Sequence, residues 1–292
     1  MKKNSINNPS VSLVVSTYNN IPALELVLKS IEQQSDMPDE IIIADDGSVD
    51  AVRQFIDSFR AKTALPLVYC RQEDDGFRLA AIRNKAIVMA RYDYIIMTDG
   101  DIVLHRDFVK EHRQNAQKGY FLQGSRVILR EELTKKILRN KTLSVPFFSK
   151  GTVNKHNMLH VPFLTPLFPA FKTLKFRKIK GCNASFWKSD LIKVNGYNEN
   201  FVGWGSEDKE LAVRLYNTGL KMKWLKFSAI CYHLFHPLHV DKELFEKNNR
   251  FLAQAIRENN RRCNVGIDQY AICHSALDAE YPEKKDCESS PQ

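Results

Sequence analysis

Asp99-Gly100-Asp101 places two carboxylates two residues apart, after the apolar run Tyr94-Ile95-Ile96-Met97-Thr98. In an extended chain such side chains leave from the same side, so the pair can share one cation. An ordinary acidic turn has the same composition, and the motif alone does not choose. A second pair, Asp45-Asp46, closes the run Glu40-Ile41-Ile42-Ile43-Ala44 ahead of Gly47-Ser48. If the two runs are neighbours in a sheet, their carboxylates repel one another unless a metal or a basic group offsets them.

Basic groups are at hand. Gly76-Phe77-Arg78 precedes a helical pattern that carries Arg83-Asn84 in its first turns. Guanidinium groups grip phosphate oxygens in bidentate fashion, so this stretch reads as a diphosphate clamp; solvated helix arginines are the plain alternative. No GxxxxGK[ST] or GxGxxG is present, which argues against a P-loop NTPase and a dinucleotide enzyme.

Gly203-Trp204-Gly205-Ser206-Glu207-Asp208 is the densest constellation. Ser206 is placed to cap a helix, with Glu207 and Asp208 in its first turn, where acids complement the helix dipole with no further role. Asp208, however, shares the i, i+3, i+4, i+7 stripe of Leu211, Ala212 and Leu215, and an inward carboxylate is costly. The flanking glycines leave Trp204 room to present its ring to a ligand, although a tryptophan also serves as core. His233, His236 and His239 follow Cys231-Tyr232. His233, at the end of a strand-like run, is the expected nitrogen ligand for a metal held by the acidic pair, with His236 as the alternative and the remaining histidines structural or on the surface.

Elements that would position these groups alternate. Apolar runs at 11–15, 40–44, 67–69 and 94–98 read as strands, and the stretches between them follow helical periodicity. Near-continuous apolar strands separated by helices predict a parallel sheet covered on both faces, whose ligands bind beyond the strands' carboxyl ends. Further on, 183–187 reads as a strand, 189–194 and 206–218 as helices, 221–232 as strand-like, and 241–262 as a polar helix. The tail beyond 279 is expected to be mobile.

The chain has 292 residues, with 43% hydrophobic and 26% charged, enough for a sizeable core. No apolar run reaches the roughly 18–20 residues of a membrane span, and the polar start lacks a secretory signal. Six scattered cysteines without a CxxC pair fit a reduced compartment. The net charge is +9. Between Arg130 and Lys180 stand twelve basic residues against Glu131 and Glu132, a local +10 that leaves the remainder at −1. Six phenylalanines and four prolines in that stretch predict an irregular insertion.

In this order, the motifs resemble glycosyltransferase family 2 on the GT-A fold, in the subgroup similar to the N-terminal catalytic domain of bacterial chondroitin polymerase. The carriers are Val14–Asn19, Ala44–Ser48, Asp74–Arg78 with Ile82–Asn84, Asp99–Asp101, Gly181–Asn183 with Ser185–Trp187, Gly203–Asp208 and Tyr232–Pro237. The resemblance implies an α/β fold of nucleotide-diphospho-sugar transferases, mostly parallel in its central sheet, and a UDP-sugar donor. It implies donor contacts from Thr17, Tyr18, Asn19, Asp45, Asp46, Arg78, Arg83, Asn84, Asp99 and Gly100. Asp99, Asp101 and His233 would be the ligands of Mn²⁺ or Mg²⁺. Trp204, Gly205 and Glu207 would position the acceptor sugar, and Asp208 would be the base of an inverting transfer. The basic insertion has no counterpart in the resemblance.

The expected organisation is one GT-A domain over 1–262, with the insertion at about 130–180 and a partly disordered extension over 263–292. The expected activity is metal-dependent transfer to a saccharide acceptor, lipid-linked or free, in cell-surface polysaccharide or lipopolysaccharide synthesis. A sugar-nucleotide nucleotidyltransferase would use similar acids but release pyrophosphate, and a nucleic-acid-binding protein would need no acid-lined strand ends. The expected location is cytoplasmic, with the basic, phenylalanine-bearing stretch touching the anionic inner face of a membrane.

Overall fold

The four apolar runs form β1 (Val11–Thr17), β2 (Glu40–Asp45), β3 (Leu67–Arg71) and β4 (Tyr94–Asp99), which pair in parallel in the order β3-β2-β1-β4. The sheet continues through β8 (Asn183–Trp187), antiparallel to β4, then β6 (Tyr120–Gln123) and β9 (Lys221–Trp224). A second sheet joins β5 (Ile102–Leu104), β10 (Ile230–His233) and β7 (Ser125–Ile128). This computed structural model describes residues 8–168, 170, 179–238 and 240–271.

Side-chain alternation explains the apolar runs. Val11, Leu13 and Val15 of β1 pack on one face of the sheet with Ile41 and Ile43, while Val14 and Ile42 pack on the other. Helices α1 (Ile21–Glu32), α2 (Asp50–Arg60) and α4 (Phe108–Asn115) cover the first face. Helices α3 (Leu79–Met89), α6 (Lys188–Lys193) and α7 (Glu207–Asn217) cover the second. With both faces buried, each central Ile or Val contributes about 1.5–3 kcal/mol of burial. Asn20 starts α1 by accepting the Ala23 N–H at 3.3 Å, with Pro22 in the first turn.

Four features depart from the sequence reading. The stretch 102–129, to which the sequence reading gave no elements, holds β5, α4, β6 and β7; its strands are three or four residues long, too short for a periodicity signal. The basic segment is not irregular throughout: it opens with the helix α5 (Glu131–Asn140), whose Thr134 and Ile137 are buried, and continues through 3-10 turns at 155–158 and 162–167. The 221–232 run is two strands, because Phe227 and Ala229 take left-handed backbone angles between them. Past α8 (Lys242–Arg257), the first residues of the expected extension belong to the core, since Cys263 and Ile267 are buried and α9 (Asp268–Ala271) follows. The expected mobile tail beyond 279 lies outside the described residues. Among those described, no helix is long and apolar enough to cross a membrane.

Candidate active site

Register gathers the chemistry at one end of the sheet. Across β1, Thr17 pairs with Asp45 and Ser16 with Asp99, so three parallel strands end side by side. Gly100 follows at once, its N–H bonded to the Ser16 carbonyl at 2.6 Å. A Cβ there would come within 2.9 Å of the Thr17 hydroxyl oxygen, so the close approach of the two loops requires glycine. Thr17 Oγ1 is buried without a hydrogen-bond partner.

The donor residues expected from the resemblance divide into two groups. Tyr18 is exposed and its hydroxyl donates to Asp74 at 3.2 Å. Asp46 accepts from Gln72 and from the Arg78 N–H, and burial pushes its carboxyl up to about 6. The Arg78 guanidinium pairs with Asp75 and is partly exposed. Tyr18 and Arg78 face solvent, and Asp46 lies buried beside them. Asp45, by contrast, is fully buried with both oxygens taken, by the Ser48 N–H at 2.8 Å and the Tyr69 hydroxyl at 2.6 Å. Its side chain fixes the Asp46-Gly47-Ser48 turn instead of reaching outward. Asn19 ties the same turn to β1, accepting the Val49 N–H and donating its own N–H to Ser48 Oγ, both at 2.9 Å.

Arg83 and Asn84 correct the diphosphate-clamp expectation. Arg83 is buried, and its guanidinium faces carboxylates: Asp99 at 2.9 Å, Asp208 at 3.0 Å and Glu207 at 3.6 Å. It is the basic offset that the acidic strand ends demanded, so its donors are spent within the protein. Asn84 is buried too, donating to the Tyr197 carbonyl and Glu199 and accepting the Tyr197 N–H. It braces the turn beneath the site.

The two acids of Asp99-Gly100-Asp101 also separate. Asp99 goes to Arg83, while Asp101 Oδ2 lies 3.4 Å from His233 Nε2 and 3.1 Å from His236 Nε2. The expectation that both acids share one cation gives way to a trio of Asp101, His233 and His236, whose ligand atoms lie within 4.8 Å of one another. The strand ends at Asp99 and a turn follows, so the period-two geometry that would align the pair stops one residue early. Burial raises the Asp101 carboxyl, but the two imidazoles outweigh it and hold it below the usual carboxylate range. His236, which the sequence reading left as the alternative to His233, is raised by Asp101. Asp101 Oδ1 is buried with no hydrogen-bond partner. An unsatisfied carboxylate oxygen beside two imidazoles fits a divalent ion. His239 lies outside the described residues.

At the start of α7, Ser206 does not cap with its side chain; it sits in a left-handed conformation and its hydroxyl donates to Asn249 at 2.8 Å. Asp208 Oδ1 takes Arg83, and Oδ2 accepts the Gly181 N–H at 2.7 Å. A Cβ on Gly181 would fall 2.1 Å from Asp208 Oδ1, so glycine lets the carboxylate lie against this loop. The Gly181-Cys182-Asn183 motif was visible in sequence, but nothing there tied it to Asp208. Burial, then the neighbouring Asp208, push the Glu207 carboxyl up to about 7. Trp204, between glycines of positive φ, is exposed and stacks on Phe245 with centroids 5.7 Å apart.

The family model of glycosyl transferase family 2 matches residues 12–179, and so runs through most of the basic segment that the resemblance left without a counterpart; that of the N-terminal domain of galactosyltransferase matches 168–237. Chondroitin synthase from Escherichia coli is 24% identical over 255 residues, 78% of this chain and 35% of that protein. The chain therefore spans about a third of that relative's length. S. aureus TarS superposes with a TM-score of 0.59 at 18% identity, over 89% of this chain and 41% of that one. GalNAc-T7, solved with UDP, GalNAc and Mn²⁺, gives 0.64 at 12% identity, over 85% and 48%. The fold is that of GT-A glycosyltransferases.

Proposed function

Because this chain belongs to glycosyl transferase family 2, we propose that it transfers a sugar from a UDP-sugar to a saccharide acceptor with inversion at the anomeric carbon. The observation that carries this reading is the pairing, at one sheet end, of the Asp101–His233–His236 trio with the Arg83-ordered acids Asp99, Glu207 and Asp208. GalNAc-T7 bound to UDP, GalNAc and Mn²⁺ supports a nucleotide-sugar donor and a divalent ion.

In this reading Thr17, Tyr18, Asp46, Arg78 and the Gly100 loop receive the nucleotide, with Asp45 and Asn19 holding the turn that faces it. Asp101, His233 and His236 hold Mn²⁺ or Mg²⁺, with Asp99 beside them on Arg83. When bound, the ion offsets the charge that develops on the diphosphate leaving group. Trp204 and Glu207, with the Gly205 backbone, position the acceptor sugar. Asp208 accepts the proton of the acceptor hydroxyl as that oxygen attacks the anomeric carbon opposite the departing UDP, so an α-linked donor gives a β-linked product. The two bonds to Asp208 leave lone pairs on both oxygens for that proton.

The expected route is cell-surface polysaccharide or lipopolysaccharide synthesis. Phe148, Phe163 and Leu167 are 86%, 77% and 75% exposed within the basic segment, which supports contact with an anionic membrane surface. Replacing these three residues by serine leaves the core-anchored α5 in place, and co-sedimentation with anionic liposomes should fall.

The test of the reaction is Asp208→Asn. Transfer should drop about 10²–10⁴-fold, the usual worth of a general base, while UDP binding with Mn²⁺ persists. Unchanged turnover removes Asp208 from the chemistry, and release of pyrophosphate instead of UDP would indicate a nucleotidyltransferase.

A further inference from the structure

A second cluster of metal-binding side chains lies outside the strand-end site. His105 and Asp107 stand in the loop between β5 and α4, and His160 reaches them from the basic segment more than fifty residues later. One ligand atom from each lies within 4.8 Å of the other two. The imidazoles lie tilted at 43° with 4.3 Å between centroids, and His105 Nδ1 is 3.8 Å from Asp107 Oδ2. Asp107 is steadied through its other oxygen, which accepts the Ser35 hydroxyl at 2.6 Å.

Behind them stands buried Glu111 of α4. Its Oε1 lies 2.6 Å from His160 Nε2, and its Oε2 accepts the Ala229 N–H at 2.6 Å. A carboxylate on one ring nitrogen is the contact that orients metal-binding histidines and raises the basicity of the other nitrogen.

We propose that His105, Asp107 and His160 form a second divalent-metal site, of the kind that takes Zn²⁺, which clamps the basic segment to the catalytic core. Two imidazoles and one carboxylate suit a borderline-soft ion and leave a fourth position for water. At the strand-end trio, by contrast, diphosphate oxygens would add the hard donors that suit Mn²⁺ or Mg²⁺. Bonds of about 2.0–2.1 Å to a tetrahedral ion require donors roughly 3.4 Å apart, so closure from the present spacing of up to 4.8 Å needs a shift of about 1 Å. All three side chains are partly exposed and have room to make it.

Position gives the site a consequence. The segment beyond His160 docks on the turn before β10, with the Val161 N–H on the Phe227 carbonyl at 2.9 Å and the Thr165 hydroxyl on the Lys226 carbonyl at 2.9 Å. Glu111 holds Ala229 of the same turn, and β10 ends at His233. An ion at the second site therefore fixes the segment and, through Glu111 and this turn, braces the strand that carries a ligand of the first.

The experiment is equilibrium dialysis of the full chain against Zn²⁺ alone, with bound metal counted by mass spectrometry. It is run in an Asp101→Ala/His233→Ala/His236→Ala background, so the result does not depend on the strand-end reading. One Zn²⁺ per chain is expected there, with affinity falling at least tenfold on adding His105→Ala and His160→Ala, and on Asp107→Asn alone. No bound Zn²⁺ in the background, or binding indifferent to these substitutions, overturns the proposal. The unsubstituted chain supplies a check free of folding effects. Tryptic cleavage at exposed Lys150 and Lys155 should slow at least severalfold with Zn²⁺ and recover with chelator, and cleavage that ignores Zn²⁺ overturns the clamp.

Discussion

Asp99 and Asp101 leave the same strand end, yet one is paired with a buried guanidinium and the other lies against two imidazoles. The difference is chemical. A guanidinium stays charged and cannot ligate a metal, so the Arg83 side is a fixed scaffold that holds Asp99, Glu207 and Asp208 in register. An imidazole nitrogen carries a lone pair that a metal can take, so the Asp101 side can hold a cation. One motif thus supplies both the rigid wall of the site and its place for a cation.

Breaking the scaffold should have the larger effect. Arg83→Met leaves three partly buried carboxylates without their counter-charge and should cost about 3–5 kcal/mol in a urea titration, as loss of one partner of a buried ion pair typically does. A loss under 1 kcal/mol would make Arg83 a peripheral cation. The scaffold also sets a pH dependence. Burial raises the Glu207 carboxyl from 4.5 to about 7, so the folded state binds that proton more tightly than the unfolded chain. The stabilisation is fully present below about 4.5 and is lost as pH rises through about 7. In Glu207→Gln, that decline in thermal stability should flatten, and an unaltered pH profile would assign it elsewhere.

Perturbing the imidazole side should leave folding nearly intact and act on metal affinity. His233, fixed on a strand, is the stronger ligand in this account, so His233→Ala should abolish tight Mn²⁺ binding. His236→Ala, in the following loop, should weaken it about tenfold. The reverse order, measured by calorimetric titration, would exchange their roles.

The parallel sheet was legible because its strands are buried on both faces and read as unbroken apolar runs between helical patterns. The acidic strand ends, and their need for an offsetting charge, were equally plain. Which charge did the offsetting was not. Arg83 and Asn84 sit in a motif beside exposed Arg78, and sequence spacing cannot distinguish a guanidinium that turns inward to acids 16 and 125 residues away from one that reaches a ligand. Asp45 was hidden for the same reason, since its partner Tyr69 lies on the adjacent strand. The Asp101–His236 contact depends on how the chain turns after β10, and the second histidine cluster on where an insertion folds back. Both are tertiary facts without a local signature.

The most direct test of the account is calorimetric titration of UDP into the chain with and without Mn²⁺, for the unsubstituted protein and for Asp101→Ala. UDP should bind the unsubstituted protein in a Mn²⁺-dependent manner, and that dependence should vanish in Asp101→Ala while the fold persists. Equal UDP affinity in all four titrations would contradict a metal-assisted nucleotide site at these strand ends.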